Sequence, residues 1–293
     1  MLLITFLLTL CNFLTSFSLL FTLPLLSYSL LTPSQRKTYR HEFLSTSLMI
    51  FLTFSPGKWS PSDYTQIGWH VVGVVLSDWI SGGAQVNPMV TVVMYCLRKE
   101  TFENVLIKIT AQLSSGYFTF LLSAHTSDYF NLTRFGGPEI PEEKNPLGLN
   151  KERVYEDCFW DEFGSGMLLL FAIFILNWEL KFAPPTYKIP HLPPFFTLAN
   201  PNYFIKQTLT AVTIRVLIIS FPSAGPSINP MLGTTYYLFK NGGSQNVTLS
   251  GTHLLVYWVA PILGGCVAAV LYVMYKNGGG ENVVSERSDE QEP

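Results

Sequence analysis

The sequence predicts an all-α membrane protein built from two inverted repeats, on three observations. Hydrophobic residues make up 48% of the 293 and charged residues only 13%, about half the charge of an average soluble chain. Asn-Pro-Met occurs twice, at Asn87-Pro88-Met89 and Asn229-Pro230-Met231, each time after a stretch rich in small residues and before a short apolar run. Glu-Phe-x-Ser also occurs twice, starting at Glu42 and Glu162, near the beginning of the first span of each half. A duplicated half-helix start in so apolar a chain is the pattern of a channel or transporter made of inverted repeats.

Residues 1–32 form the first element, an apolar segment interrupted by Pro24 and followed by Arg36, Lys37 and Arg40. Its N-terminus lacks the positive charge of a signal peptide, so it is expected to be an uncleaved extra membrane or interfacial segment. Residues 33–275 then form the main domain, with a first repeat over about 39–124 and a second over about 159–275. Six spans are expected, over 39–56, 64–80, 102–124, 159–178, 203–221 and 253–275. Two half-helices start at Pro88 and Pro230, where a missing N–H costs nothing and a preceding Asn caps well. Asn145-Pro146 and Asn200-Pro201 lie in polar, Pro-rich stretches and are read as loop turns. Residues 125–157 and 179–202 are loops, and 276–293 is a disordered acidic tail.

Three spans and one half-helix per repeat invert the second copy. With residues 33–40 inside, the cytosolic segments hold Arg36, Lys37, Arg40, Arg98, Lys99, Lys108, Lys181, Lys188, Lys206, Lys276 and Arg287. The outer segments hold only Lys58, Arg134, Lys144, Lys151, Arg153 and Lys240, a modest positive-inside bias. The sequons at Asn131 and Asn246 then fall outside, as glycosylation candidates.

Net charge is −2, so no basic surface calls for nucleic acid. The four cysteines, at 11, 96, 158 and 266, make no CxxC pair, and neither a disulfide framework nor a zinc site is expected. Cys158, at a segment edge, is the one read as exposed to redox chemistry. No pattern for nucleophilic, metal or phosphate chemistry stands out, so the chain is expected to be no enzyme and to need no cofactor.

Two half-helices meeting N-terminus to N-terminus would place partial positive charge at the midplane, repelling cations and passing neutral solutes. The amides of Asn87 and Asn229 would donate hydrogen bonds there. Met89 and Met231 either pack as filler, the favoured reading, or narrow the passage. His70 lines the passage or packs in the second span. Arg215, an Arg at membrane depth, is expected to face protein or a cavity, where it either supplies a pore charge from the fifth span, pairs with a carboxylate or snorkels. Asp78 is a further charge with no assigned partner.

The chain resembles the aquaporin (major intrinsic protein) family from about Tyr39 to Tyr275. The resemblance rests on the stretch from Ser81 to Thr91, on Ala111-Gln112-Leu113 and on the second Asn-Pro-Met. The N-terminal extension, the altered third motif residue and the run Val256–Pro261 resemble the unorthodox aquaporins, or superaquaporins. The resemblance implies a homotetramer with one pore per subunit, passing water, with glycerol or hydrogen peroxide as further neutral cargo. It implies an intracellular membrane such as the endoplasmic reticulum rather than the plasma membrane, and Glu42 and Glu162 as braces for the loops before each half-helix. Water-selective relatives carry Arg after the second motif; here that position is Leu232. The rival readings are a non-conducting membrane scaffold and a proton-coupled transporter resting on Glu42, Asp78 and Glu162.

Overall fold

A computed structural model describes residues 31–54, 62–132, 136–140, 151–182, 186–188, 197–223, 227–240 and 249–288. The extra segment expected over 1–32 lies almost wholly outside them, as do Asn246 and Asn145-Pro146.

The chain is helical, with α1 (Pro33–Phe54), α2 (Asp63–Ser81), short α3 (Pro88–Cys96) and α4 (Phe102–Tyr129) in the first half. The second half holds α5 (Lys151–Phe174), α6 (Pro201–Ser220), short α7 (Pro230–Lys240), α8 (Gly251–Leu254) and α9 (Ala260–Ser288). Among the described residues, four stretches are long and apolar enough to cross a membrane: Phe102–Tyr129, Tyr155–Glu179, Pro201–Ser220 and Gly251–Asn277. The charges Arg36, Lys37, Arg40 and Glu42 dilute the apolarity of α1.

Three features depart from the sequence expectation. A pair of three-residue strands, β1 (Thr186–Lys188) and β2 (Thr197–Ala199), pairs antiparallel inside the expected second loop. Pro201 opens α6 instead of sitting in a loop turn, with Asn200 left-handed at φ 53° and making no side-chain cap. Finally, α9 continues past Lys276 to Ser288, where a disordered tail is expected. Extending a formed helix adds one hydrogen bond per residue fixed, with no new nucleation cost.

The two halves pack alike. In the first, α1 lies along α4 and α2; in the second, α5 lies along α9 and α6. The short helices exchange partners between halves: α3 packs on α9, and α7 packs on α4. Glycines permit these approaches, since a Cβ on Gly264 of α9 would lie 2.1 Å from Phe163 O of α5.

Two π-helical turns, Ile175–Glu179 and Leu255–Val259, interrupt the helical repeat. The second, between α8 and α9, re-aims two large side chains at α7. The Tyr257 ring lies against Gly233, and Trp258 Nε1 donates to Thr234 Oγ1 at 2.7 Å.

Candidate functional site

The starts of α3 and α7 meet through reciprocal hydrogen bonds. Asn87 Nδ2 donates to Ile228 O at 2.9 Å, and Asn229 Nδ2 donates to Val86 O at 2.9 Å. Each Asn also caps its own helix: Met89 N–H donates to Asn87 Oδ1 at 2.9 Å, and Met231 N–H to Asn229 Oδ1 at 3.1 Å. An Asn amide has two N–H donors, and the cross-bond uses one.

To present those carbonyls, Val86 and Ile228 adopt φ of 49° and 48°. Positive φ is unusual for a β-branched residue and costs of order 1–3 kcal/mol each. Carboxylates hold both turns. Glu42 accepts from Gln85 N–H at 2.9 Å and Val86 N–H at 3.0 Å. Glu162 accepts from Ser227 N–H at 2.7 Å and Ile228 N–H at 3.0 Å. Both are almost fully buried, at 2% and 0% exposure.

The braces differ in their surroundings. Glu42 also accepts from Gln112 Nε2 at 3.0 Å and lies 3.8 Å from Lys108 Nζ. Lys108 pairs with Glu100, which accepts from the Gln85 side chain at 3.1 Å. Glu162 has Asp161 as its chain neighbour, whose carboxylate accepts from Ser223 N–H at 2.9 Å.

Two cavities flank this centre. The first, of about 260 Å³, is lined by Asn87, Asn229, Val86, Ile228, Gln85 and Asp78 among others. The second, of about 340 Å³, is lined by Arg215, Ile218, Phe54 and the segment 136–138 among others. Both touch Met49, His70, Ile214, Ser227 and Leu232, so those five residues stand between them. His70 is buried, with Nδ1 at 3.4 Å from Thr53 Oγ1. Asp78, which lacks an assigned partner in the sequence, accepts a hydrogen bond from the Tyr203 hydroxyl.

Met89 and Met231 pack among the helices rather than on the walls of these two cavities. Both are fully buried. Each fills space left by glycines on neighbouring helices. A Cβ on Gly116 would lie 2.4 Å from Met231 Sδ, and one on Gly166 would lie 3.1 Å from Met89 Sδ. The cysteines need correcting: Cys158 is fully buried, while Cys96 is exposed at the end of α3. Helical burial on α5 hides the first; the short length of α3 presents the second. Asn131 is exposed just past α4, with φ 53°.

Sequence reasoning assigned no role to Lys108, Gln112 or Tyr203, or to the strained pair Val86 and Ile228. The signal for the last two was their place immediately before each Asn, where the chain has to turn into a helix.

No family model matches this chain, and no curated protein matches it. Among solved structures it is similar to the aquaglyceroporin from Plasmodium falciparum, with a TM-score of 0.59 at 16% identity. The match covers 86% of this chain and 99% of that one. At that identity the likeness is one of fold alone: the chain shares that protein's fold.

Proposed function

We propose that this chain is a passive membrane channel for water and small neutral solutes, glycerol and hydrogen peroxide among them. The observation that carries the reading is the reciprocal Asn87–Ile228 and Asn229–Val86 bonding on a cavity wall. Helices α3 and α7, at 9 and 11 residues, reach about 14 and 16 Å, each close to half the hydrocarbon thickness. With α1 and α2 added to the four strongly apolar stretches, the chain has six spans and two re-entrant helices. The helix N-termini then face each other at the midplane, and their summed dipoles disfavour cations, hydronium included. The second N–H of each Asn donates to a passing oxygen. The fold of the Plasmodium falciparum aquaglyceroporin supports this reading.

Residues 33–275 are the channel domain, and four copies assemble, each with its own passage, in an intracellular membrane. Nothing in the mechanism calls for a cofactor or for catalysis. Swelling of proteoliposomes in stopped flow tests it: reconstituted protein should raise water flux and pass glycerol without a pH gradient. Flux equal to empty vesicles leaves a scaffold, and solute flux driven only by a pH gradient leaves a coupled carrier.

A further inference from the structure

We propose that Asp78, held by Tyr203, forms with Gln207 a polyol-recognising subsite on the wall of the first cavity. The inference rests on the channel reading and names the side chains, apart from Leu232, that distinguish a polyol from water.

The fold fixes the carboxylate at backbone and tip. Asp78 lies in the last turn of α2, where Gly83 N–H donates to its carbonyl at 3.0 Å and Ser81 Oγ at 3.2 Å. Tyr203 lies in the first turn of α6, its N–H donating to Asn200 O at 3.0 Å. The Tyr203 hydroxyl donates to Asp78 Oδ2. Gln207 stands four residues beyond Tyr203 on α6, and so on the same helix face. Beside it, Lys206 Nζ donates to Asn177 O at 2.9 Å, which ties α6 to the π-helical turn after α5. Asp78, Asn177 and Gln207 all line the first cavity.

The groups left unused set the chemistry. A carboxylate has two acceptor oxygens, and among the described residues nothing donates to Asp78 Oδ1. The Gln207 amide likewise has no hydrogen-bond partner among the described residues. Both residues are half-buried rather than sealed in the core. The wall thus offers an anionic acceptor and a free amide, with Val74, Leu169 and Ile173 as apolar surface. A small polyol matches that wall: its hydroxyls donate to Oδ1 and bond the amide, and its carbons meet the apolar side chains. The cavity holds about 260 Å³, against about 30 Å³ for one water's share of the liquid, so a three-carbon polyol fits. Water entering the same space keeps other waters as partners. A polyol displaces them and depends more on the strong bond to a charged acceptor.

The test measures water and glycerol flux in proteoliposomes for wild type and four variants. Asp78→Leu should lower the glycerol-to-water ratio several-fold with water flux little changed. Asp78→Asn keeps the shape and an acceptor oxygen, and should recover part of the ratio. Tyr203→Phe and Gln207→Leu should lower it less than Asp78→Leu. If Asp78→Leu fails to fold, the other three carry the comparison. Saturation-transfer NMR of glycerol with the purified chain in detergent gives a second readout. Binding in Asp78→Leu should be about tenfold weaker than in wild type, the loss expected of one hydrogen bond to a charged group. The two readouts separate the failures. Asp78-dependent binding without flux would sink the channel reading and support the subsite. Ratios unchanged across the variants, or water and glycerol flux falling together, would overturn the subsite and leave the channel reading standing. Neither flux nor binding in wild type would overturn both.

Discussion

Met231 Sδ lies 2.4 Å from the place where a Cβ on Gly116 would begin. The large motif residue of α7 therefore exists because α4 has no side chain there. Gly116→Ala should destabilise the protein by about 1–3 kcal/mol through overpacking. Met231→Ala should cost about 2–5 kcal/mol by leaving a cavity. The double variant should be more stable than the sum of the two costs implies, because the added methyl enters the vacated space. Thermal unfolding of the four proteins in detergent measures the coupling. Water flux per folded Met231→Ala molecule should match wild type, since Met231 lines neither cavity.

Glu42 and Glu162 make matched pairs of backbone hydrogen bonds but are not equal in cost. Glu162→Ala strands the N–H groups of Ser227 and Ile228, at about 1–3 kcal/mol each. Glu42→Ala strands those of Gln85 and Val86 and also takes a carboxylate from Gln112 and from the vicinity of Lys108. The first-half variant should therefore lose more stability. A ranking in which Glu162→Ala is the worse of the two would show that the Lys108 side of the network carries little weight.

The sequence makes some of this legible and hides the rest, for physical reasons. Asn-Pro-Met and Glu-Phe-x-Ser are short, local patterns, and the helix starts at Pro88 and Pro230 follow from Pro having no N–H to lose. Asn200-Pro201 shows the limit of that rule. It too starts a helix, but with Asn200 left-handed and no side-chain cap, a difference set by the surrounding fold. The placing of the methionines depends on Gly116, Gly166 and Gly265, which lie in other helices, so no window along the chain contains both partners. The same holds for the Tyr203 hydroxyl that meets Asp78.

Val86 and Ile228 share a positive φ but not an environment: Val86 is half-buried, while Ile228 is 1% exposed. Glycine at either site relieves strain of about 1–3 kcal/mol and adds unfolded-state entropy worth about 0.4–1 kcal/mol. At position 86 these terms and a partial loss of burial roughly cancel, so Val86→Gly should unfold close to wild type. At position 228 the loss of a fully buried side chain adds about 2–5 kcal/mol, so Ile228→Gly should be clearly less stable. Equal melting temperatures for the two variants would mean that burial, not strain, has been misjudged at Ile228.

Leu232 touches both cavities, and Arg215 touches only the second. An apolar side chain between two chambers offers no donor to compete with water for a solute's oxygens, and it meets the carbon face of a polyol. Opposed helix dipoles still disfavour ions at the centre. Leu232→Arg adds five N–H donors and a charge at the wall the two chambers share. It should lower glycerol flux several-fold while reducing water flux much less. Arg215→Leu removes a cation from the second chamber alone, so it should shift the glycerol-to-water ratio by a smaller amount and in the opposite direction. Stopped-flow water and glycerol flux for wild type and both variants decides the matter. Unchanged ratios in both would place the selective step away from Leu232 and Arg215.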